Sequence, residues 1–268
     1  MKLITGFFMA WGNFCAIPCP WKLWDENARD LMLVMFPLVG VIIGMIWYGM
    51  YWIFYYLGMP IPLFAALMTA YPFLVTGFIH LDGFMDCNDA ILSRRPLAER
   101  QRILKDSHVG AFAVITAVIL FMVFWGAMWS LLEMKSPLRM WCLSMVPVLS
   151  RAMSARAVLA KRPLSTSQYQ RSFQKGAAYQ GIPCFIWLAA AAVMVVEGIL
   201  LEGGLAMDGR TMLLCGLTPA VTAACQLAAS LISGVYARKQ LGGMSGDIAG
   251  YMLVWSELAA VVSLLMVF

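Results

Sequence analysis

The sequence predicts an all-α protein, a polytopic integral membrane bundle of helices. Hydrophobic residues make up 62% of the 268 residues, and charged residues make up only 12%, about half of the roughly 25% that is usual in soluble domains. Uncharged stretches reach the roughly 20 residues that a helix needs to cross a bilayer, and none alternates in polarity as a barrel strand does. We therefore expect one membrane domain over residues 1–268.

Apolar stretches between charged segments predict about seven transmembrane helices. They cover residues 31–57, 60–81, 109–132, 138–160, 183–201, 211–236 and 248–268. The first twenty residues carry Lys2 as their only charge, and Pro18 and Pro20 stand where signal cleavage requires small residues. This segment predicts an interfacial or re-entrant helix, not a cleaved signal.

Lysine and arginine residues are unevenly distributed between the two sides of these predicted helices. With the N-terminus in the cytoplasm, the cytoplasmic segments carry 14 basic residues and the opposite side carries only Lys135, Arg139 and Arg210. Since positive loops stay inside, segments 82–108 and 237–247 should face the cytoplasm. No dense basic run interleaved with aromatic residues is present, so no nucleic-acid partner is expected. The seven cysteines lack the spacing of a metal or redox motif.

Three aspartates occur within the ten residues HLDGFMDCND, in a chain that has only 14 acidic residues. Asp82, Asp86 and Asp89 are spaced i, i+4 and i+7, which places them on one face of a helix. Because like charges so close repel one another, a cation is expected between them, and carboxylate oxygens suit Mg²⁺, Mn²⁺ or Ca²⁺. Gly83 would let a ligand approach the backbone. The alternative is a solvated helix end whose acids keep a loop in water.

Basic residues follow in the same cytoplasmic segment and predict contacts to phosphate oxygens. Arg94, Arg95 and Lys105 are the candidates, whereas Arg100 and Arg102 are expected to anchor the chain at the membrane surface. Acids that hold a metal together with bases that hold phosphate are what phosphoryl or nucleotidyl transfer requires.

Two histidines lie close to the acidic residues. His80 precedes Asp82 by two positions, and His108 follows Asp106 by two. Either histidine is a candidate general base towards a hydroxyl nucleophile, and His80 is the stronger candidate. The alternative is a packed or interfacial histidine.

Ionisable residues inside the predicted helices indicate further site residues. Arg151 lies within the span 138–160, where it needs an anion, and it shares a helix face with Ser154. Glu257 lies near the middle of the last predicted span, so it is either a site residue or the partner of Arg151 in a structural ion pair. Asp247 closes the glycine-rich turn GGMSGD and is a third candidate.

The stretches GFIHLDGFMDCNDA and RILKDSHVGAFAV resemble the signature region of the cobalamin-5'-phosphate synthase family, also called adenosylcobinamide-GDP ribazoletransferase. The likeness rests on the elements His-Leu-Asp-Gly, Asp-x-x-Asp and Lys-Asp-Ser. FPLVGVIIG, the tripeptide Leu-Ser-Arg at 149–151 and a late Gly-Gly-x-Ser-Gly-Asp are similar to further family features in the same order. Ala90 and Ser245 depart from the glycine and threonine that are usual there, and neither change removes a charge.

The resemblance implies a Mg²⁺-using enzyme of late cobalamin assembly, which we expect in the bacterial cytoplasmic (inner) membrane with its active site facing the cytoplasm. It would join adenosylcobinamide-GDP to α-ribazole or α-ribazole 5'-phosphate and release GMP. The metal or catalytic acids that the resemblance implies are Asp82, Asp86, Asp89 and Asp106, with Lys105, Arg151, Asp247 and Glu257 as further site residues.

Two other functions remain open from the residues alone. CDP-alcohol phosphotransferases also use membrane-embedded aspartates, but their Asp-Gly-x-x-Ala-Arg motif is absent from this sequence. A divalent-cation transporter would place its ligands near the bilayer midplane, often within an inverted repeat, and the sequence shows no such repeat. Whether the chain forms a homo-oligomer is left open as well.

Overall fold

Helices make up the regular structure of the chain. The computed structural model describes residues 2–22, 24–176, 178–201 and 209–266, and within these ranges it contains eleven α-helices and no strand. The helices are α1 (Lys2–Phe14), α2 (Arg29–Tyr56), α3 (Ile61–Leu74), α4 (Ile79–Leu92), α5 (Leu97–Ile103), α6 (Ala111–Glu133), α7 (Pro137–Ala160), α8 (Gln170–Gly176), α9 (Gly181–Leu201), α10 (Gly209–Leu241) and α11 (Gly246–Ser263). The predicted all-α membrane bundle is thereby confirmed.

Five of the described helices are long and apolar enough to cross a membrane, namely α2, α6, α7, α9 and α10. A sixth span results if α3 and α4 together form one broken span. Helix α11 has 18 residues and occupies the predicted segment 248–268. Each predicted apolar stretch therefore contains a helix, but the count of seven spans is not confirmed.

The predicted span 60–81 is not one continuous helix. Helix α3 ends at Leu74, and its axis meets that of α4 at 85°. The turn between them contains Gly77 and Phe78 in the left-handed region, with φ of +59° and +62°. A right-handed helix requires negative φ at every residue, so these two residues interrupt it. Glycine adopts a positive φ readily, whereas a bulky residue such as phenylalanine rarely does. With 14 residues α3 is about 21 Å long, shorter than the roughly 30 Å hydrocarbon core.

Helix α7 lies at the centre of the bundle. It is buried along nearly its whole length and packs against α2, α9, α10 and α11. Helix α2 approaches it closely because Gly40 and Gly44 face the α7 backbone: a Cβ atom on Gly44 would lie 1.7 Å from the carbonyl oxygen of Ser144. Small residues allow such close backbone contact between membrane helices.

The N-terminal helix α1 has 13 residues, which is too short to cross a bilayer. It packs against α2 through Met9 and Ala10, while Leu3 and Ile4 are exposed. A short amphipathic helix with one buried and one exposed apolar side fits the interfacial position that the sequence predicts.

The α2 and α7 contact yields a test with a matched control on the same helix. Gly44→Ala should destabilise the protein by about 1–3 kcal/mol, since the added methyl group overlaps the Ser144 carbonyl. Gly49→Ala should be neutral or slightly stabilising, because no atom lies within 4 Å of its Cβ position and alanine favours helix. Thermal unfolding of both variants in detergent measures the difference. Equal melting temperatures would contradict the proposed contact.

Candidate active site

A polar pocket lies where α1, α2, α4, α7 and α11 come together. It encloses about 740 Å³, including the part that is open to solvent. Three of the residues predicted from sequence line it, His80, Asp82 and Asp247, together with Ser154 of α7. Phe14 and Phe36 form an apolar side of the same pocket. We refer to it as the acidic pocket, because its two charged lining residues are aspartates.

Two glycines bring α4 and α11 into contact beside the acidic pocket. A Cβ atom on Gly83 would lie 2.8 Å from the backbone of Asp247, and one on Gly250 would lie 2.9 Å from the carbonyl oxygen of His80. The space beside Gly83 is thus occupied by α11 backbone, so Gly83 serves helix packing there. Its predicted contact to a ligand stays a prediction.

The turn before α11 sets the position of Asp247. Ser245 is the N-cap residue: its hydroxyl accepts a hydrogen bond from the Ile248 N–H at 3.3 Å and donates one to Asp247 Oδ2 at 3.2 Å. A parallel bridge joins this turn to the segment after α7, with Leu164 N donating to Met244 O and Met244 N donating to Arg162 O, both at 2.9 Å. The glycine-rich turn is therefore held on both sides.

Asp82, Asp86 and Asp247 form an acidic group whose charges repel one another. Burial, together with the negative charges of Asp82, Asp247 and Asp89, raises the pKa of Asp86 to about 7. Burial also raises the pKa of Asp247; the Ser245 hydrogen bond opposes this shift and Asp82 adds to it. Crowded carboxyls of this kind are stabilised by a cation or by a proton.

Asp89 occupies a different position at the end of this group. A Cβ atom on Gly110 would lie 2.1 Å from its carboxylate oxygens, so the Asp89 side chain lies against the first residues of α6. A carboxylate at a helix N-terminus is stabilised by the helix dipole and by free backbone N–H groups. This contact supports a structural role for Asp89 beside its predicted role as a metal ligand.

Arg151 and Glu257 form a buried ion pair next to the acidic pocket. Arg151 Nη1 donates to Glu257 Oε1 at 3.0 Å, and the Ser150 hydroxyl donates to the same oxygen at 2.8 Å. The guanidinium also lies over the Phe36 ring at 5.6 Å. Neither member of the pair lines the pocket. The structural ion pair is therefore the interpretation that the geometry supports, and it prevents an uncompensated charge inside the bundle.

His80 lies between the aromatic side and the acidic side of the pocket. Its imidazole is 6.1 Å from the Phe14 ring and 5.7 Å from the Phe36 ring, centre to centre. The residue is only 8% exposed, and among the described residues its Nε2 atom has no hydrogen-bond partner. A buried ring nitrogen beside a pocket can accept a proton or a hydrogen bond from a ligand.

The remaining predicted residues lie away from the acidic pocket. Arg94, Arg95 and Lys105 are exposed and do not line it. Asp106 is exposed too, and its Oδ1 atom accepts hydrogen bonds from the backbone N–H of His108 at 3.0 Å and lies 2.7 Å from His108 Nδ1. These four residues follow the aspartates in sequence, but α5 carries the chain towards α10. Their predicted roles remain predictions without a contact to the pocket.

Several lining residues were not predicted from sequence. Asn13 comes from α1, and Gln168 and Tyr169 come from the segment before α8. Polar or aromatic residues at these positions have no motif spacing that would single them out. The bridge between this segment and the turn before α11 is what brings Tyr169 to the pocket.

The donor set of the pocket can be compared with the needs of Mg²⁺. Over the described ranges, no three or more histidine, cysteine, aspartate or glutamate side chains are arranged to hold a metal ion by themselves. Mg²⁺ usually binds one or two carboxylates and completes its shell with water and substrate phosphate. Asp82 and Asp247 line the pocket with hard oxygen ligands, so these two carboxylates fit a Mg²⁺ ion that binds together with a phosphate substrate.

Fold and site together define a multi-pass helical membrane protein with an acidic pocket between α4 and α11. The chain belongs to the cobalamin-5-phosphate synthase family, which it matches over residues 6–265. It is therefore a transferase of cobalamin biosynthesis, as the resemblance in the aspartate region predicts.

Individual relatives match over almost their full length. A protein of Clostridium botulinum (strain Alaska E43 / Type E3) named adenosylcobinamide-GDP ribazoletransferase is 37% identical over 263 residues, 98% of this chain and 97% of the relative. Proteins with the same name from Clostridium perfringens (strain 13 / Type A) and Geobacillus kaustophilus (strain HTA426) are 34% and 26% identical, over 96% and 94% of this chain and 95% and 92% of their own. No solved structure matches the chain.

The raised pKa of Asp86 predicts how stability varies with pH when divalent cations are removed. The folded protein binds the Asp86 proton more tightly than the unfolded chain does, so stability should fall as the pH rises from the ordinary value of 3.8 to about 7. In EDTA, Asp86→Asn should reduce this loss, which thermal unfolding at a series of pH values would measure.

Asp106→Asn is the matched control for this pH series. The pKa of Asp106 is lowered by its hydrogen bonds to His108, so it titrates below the window and its loss should leave the slope unchanged. A slope that is the same in Asp86→Asn and in the unmodified protein would show that the acidic group is not under repulsion.

Proposed function

We propose that the chain is a Mg²⁺-dependent adenosylcobinamide-GDP ribazoletransferase of the bacterial cytoplasmic membrane. It joins adenosylcobinamide-GDP to α-ribazole or α-ribazole 5'-phosphate, gives adenosylcobalamin or its 5'-phosphate, and releases GMP. The observation that carries the proposal is the acidic group of Asp82, Asp86 and Asp247 in a chain 34% and 37% identical to two Clostridium relatives of that name over nearly its whole length. The excess of basic residues in segments 82–108 and 161–182 supports a pocket that opens to the cytoplasm.

Mg²⁺ would be held by one or two carboxylates of this acidic group, with Asp82 and Asp247 as the pair that lines the pocket and Asp86 beside them. When bound, the ion supplies charge neutralisation for a diphosphate and for the departing phosphate. Asp82 on α4 and Asp247 on α11 line the pocket, so they would bind the ion there from two helices that are packed against each other. The contribution of this chain is therefore mainly positioning, as expected for phosphoryl transfer.

The acceptor reacts through a hydroxyl of its ribose. The family name, cobalamin-5-phosphate synthase, implies that a phosphate on the ribose 5-position survives the reaction, so that phosphate is not the attacking group. The hydroxyl oxygen forms a bond to the phosphorus that carries cobinamide, and the bond from that phosphorus to the oxygen of GMP breaks. The hydroxyl proton moves to His80 Nε2, which is unpaired among the described residues and lies beside the pocket.

The first test measures GMP release by the purified protein from adenosylcobinamide-GDP and α-ribazole, with Mg²⁺ or with EDTA. Release should require Mg²⁺, and Asp82→Asn or Asp86→Asn should lower kcat by about 100-fold or more, the scale on which loss of a charge-stabilising group acts. Glu133→Gln is the control. The Glu133 carboxylate is exposed at the end of α6, where it accepts a hydrogen bond from the Trp129 side chain. Full turnover by both aspartate variants would overturn the metal role.

A second test separates proton acceptance by His80 from packing. His80→Phe keeps an aromatic ring between Phe14 and Phe36 but cannot accept a proton, so kcat should fall by about 10²–10⁴-fold while the melting temperature stays close to that of the unmodified protein. His80→Gln should lose the same activity. If either variant keeps its kcat, His80 is a packing residue only.

A further inference from the structure

Arg29 lies near the acidic pocket but is not one of its lining residues. It is the first residue of α2, and it shares one face with Leu33 and Phe36 through the spacing i, i+4, i+7. Leu33 and Phe36 both line the pocket. Arg29 therefore lies on the same face of α2, one helical turn before Leu33.

Tyr169 connects this arginine to the acidic side. The phenol lines the pocket, and its ring lies 3.4 Å from the Cβ position of Gly246, the residue before Asp247. Burial raises the pKa of Tyr169, the positive charge of Arg29 lowers it and the negative charge of Asp247 raises it. The Tyr169 side chain therefore interacts electrostatically with both Arg29 and Asp247.

A second arginine reaches the same region from α8. Arg171 Nη2 donates a hydrogen bond to Asn27 Oδ1 at 3.1 Å, two residues before Arg29. Arg171 is exposed to solvent, and it follows Tyr169 by two residues. Two guanidinium groups from separate parts of the chain are therefore close to the pocket opening.

The contacts of Arg29 hold it in place without neutralising it fully. Its guanidinium lies 5.7 Å from the centre of the Trp24 ring, and Arg29 Nη1 lies 3.7 Å from Glu26 Oε2. The Glu26 side chain is 54% exposed, so this ion pair is weak and is readily exchanged for a stronger anion. A guanidinium binds phosphate oxygens in a bidentate manner, which makes it suited to a diphosphate.

We propose that Arg29, assisted by Arg171, binds the diphosphate of the nucleotide-activated substrate across the pocket from Asp82 and Asp247. The inference rests on the proposed function, because it assumes a diphosphate substrate. It assigns phosphate binding to the starts of α2 and α8, and not to the exposed residues Arg94, Arg95 and Lys105. The acids and the arginines then act on the same diphosphate from two sides.

The test compares Arg29→Gln with Arg102→Gln in the full-length protein in lipid nanodiscs. Arg102 is the matched control, because it also pairs with a glutamate three residues away, Glu99 at 2.6 Å, but it lies on α5, which contributes no residue to the pocket, whereas α2 contributes Leu33 and Phe36. Calorimetry with GDP and Mg²⁺ should show a Kd raised about tenfold or more by Arg29→Gln and unchanged by Arg102→Gln. Arg29→Lys should restore part of the affinity.

Kinetics distinguish this inference from the proposed function. Arg29→Gln should raise KM for adenosylcobinamide-GDP while KM for α-ribazole stays constant, a selective change that general loosening of the fold would not produce. If the unmodified protein releases GMP and Arg29→Gln behaves as Arg102→Gln does, the inference fails alone; if the unmodified protein releases no GMP, the proposed function fails. Should Arg29→Gln not fold, Arg171→Gln decides, and unchanged GDP binding by that exposed-site variant overturns the inference.

Discussion

The close crossing of α4 and α11 is the constraint on which the pocket depends. Gly83 and Gly250 leave no space between the two backbones, and this contact fixes Asp247 beside the aspartates of α4. The crowding is unfavourable by itself, because it brings like charges together. It persists because the glycine contact, the Ser245 cap and the bridge to the segment after α7 hold the turn independently of the charges.

In the part of the chain that the structure describes, a buried charged pair inside the bundle is neutralised internally, whereas the acidic group at the pocket is not. Arg151 and Glu257 are nearly inaccessible to solvent and neutralise each other. Asp82 is exposed, and the acidic group around it has no such internal partner among the described residues. An apolar bundle tolerates a closed ion pair, but it leaves a net negative charge only where a cation can arrive from solvent. This contrast separates the structural ionisable residues from the functional ones.

The sequence predicted the helices well, because each apolar stretch is long and its ends are marked by charged residues. It missed the break at Gly77 and Phe78, since a glycine inside an apolar run does not reveal that the following residue adopts a left-handed conformation. Spacing within one helix grouped Asp82 and Asp86 correctly. It could not determine which distant segments approach them, although Asn13 and Tyr169 line the same pocket from distant parts of the chain.

The pocket has a solvent-exposed side and a side from which solvent is excluded, and a transferase needs both. Water competes with the acceptor hydroxyl for a nucleotide-activated phosphorus, so the nucleophile must be held where water is excluded. Phe14 and Phe36 enclose His80 on the apolar side, whereas Asp82 lies on the exposed side. The exposed Asp82 and the buried His80 thus provide, two residues apart on α4, the two environments that the proposed transfer requires.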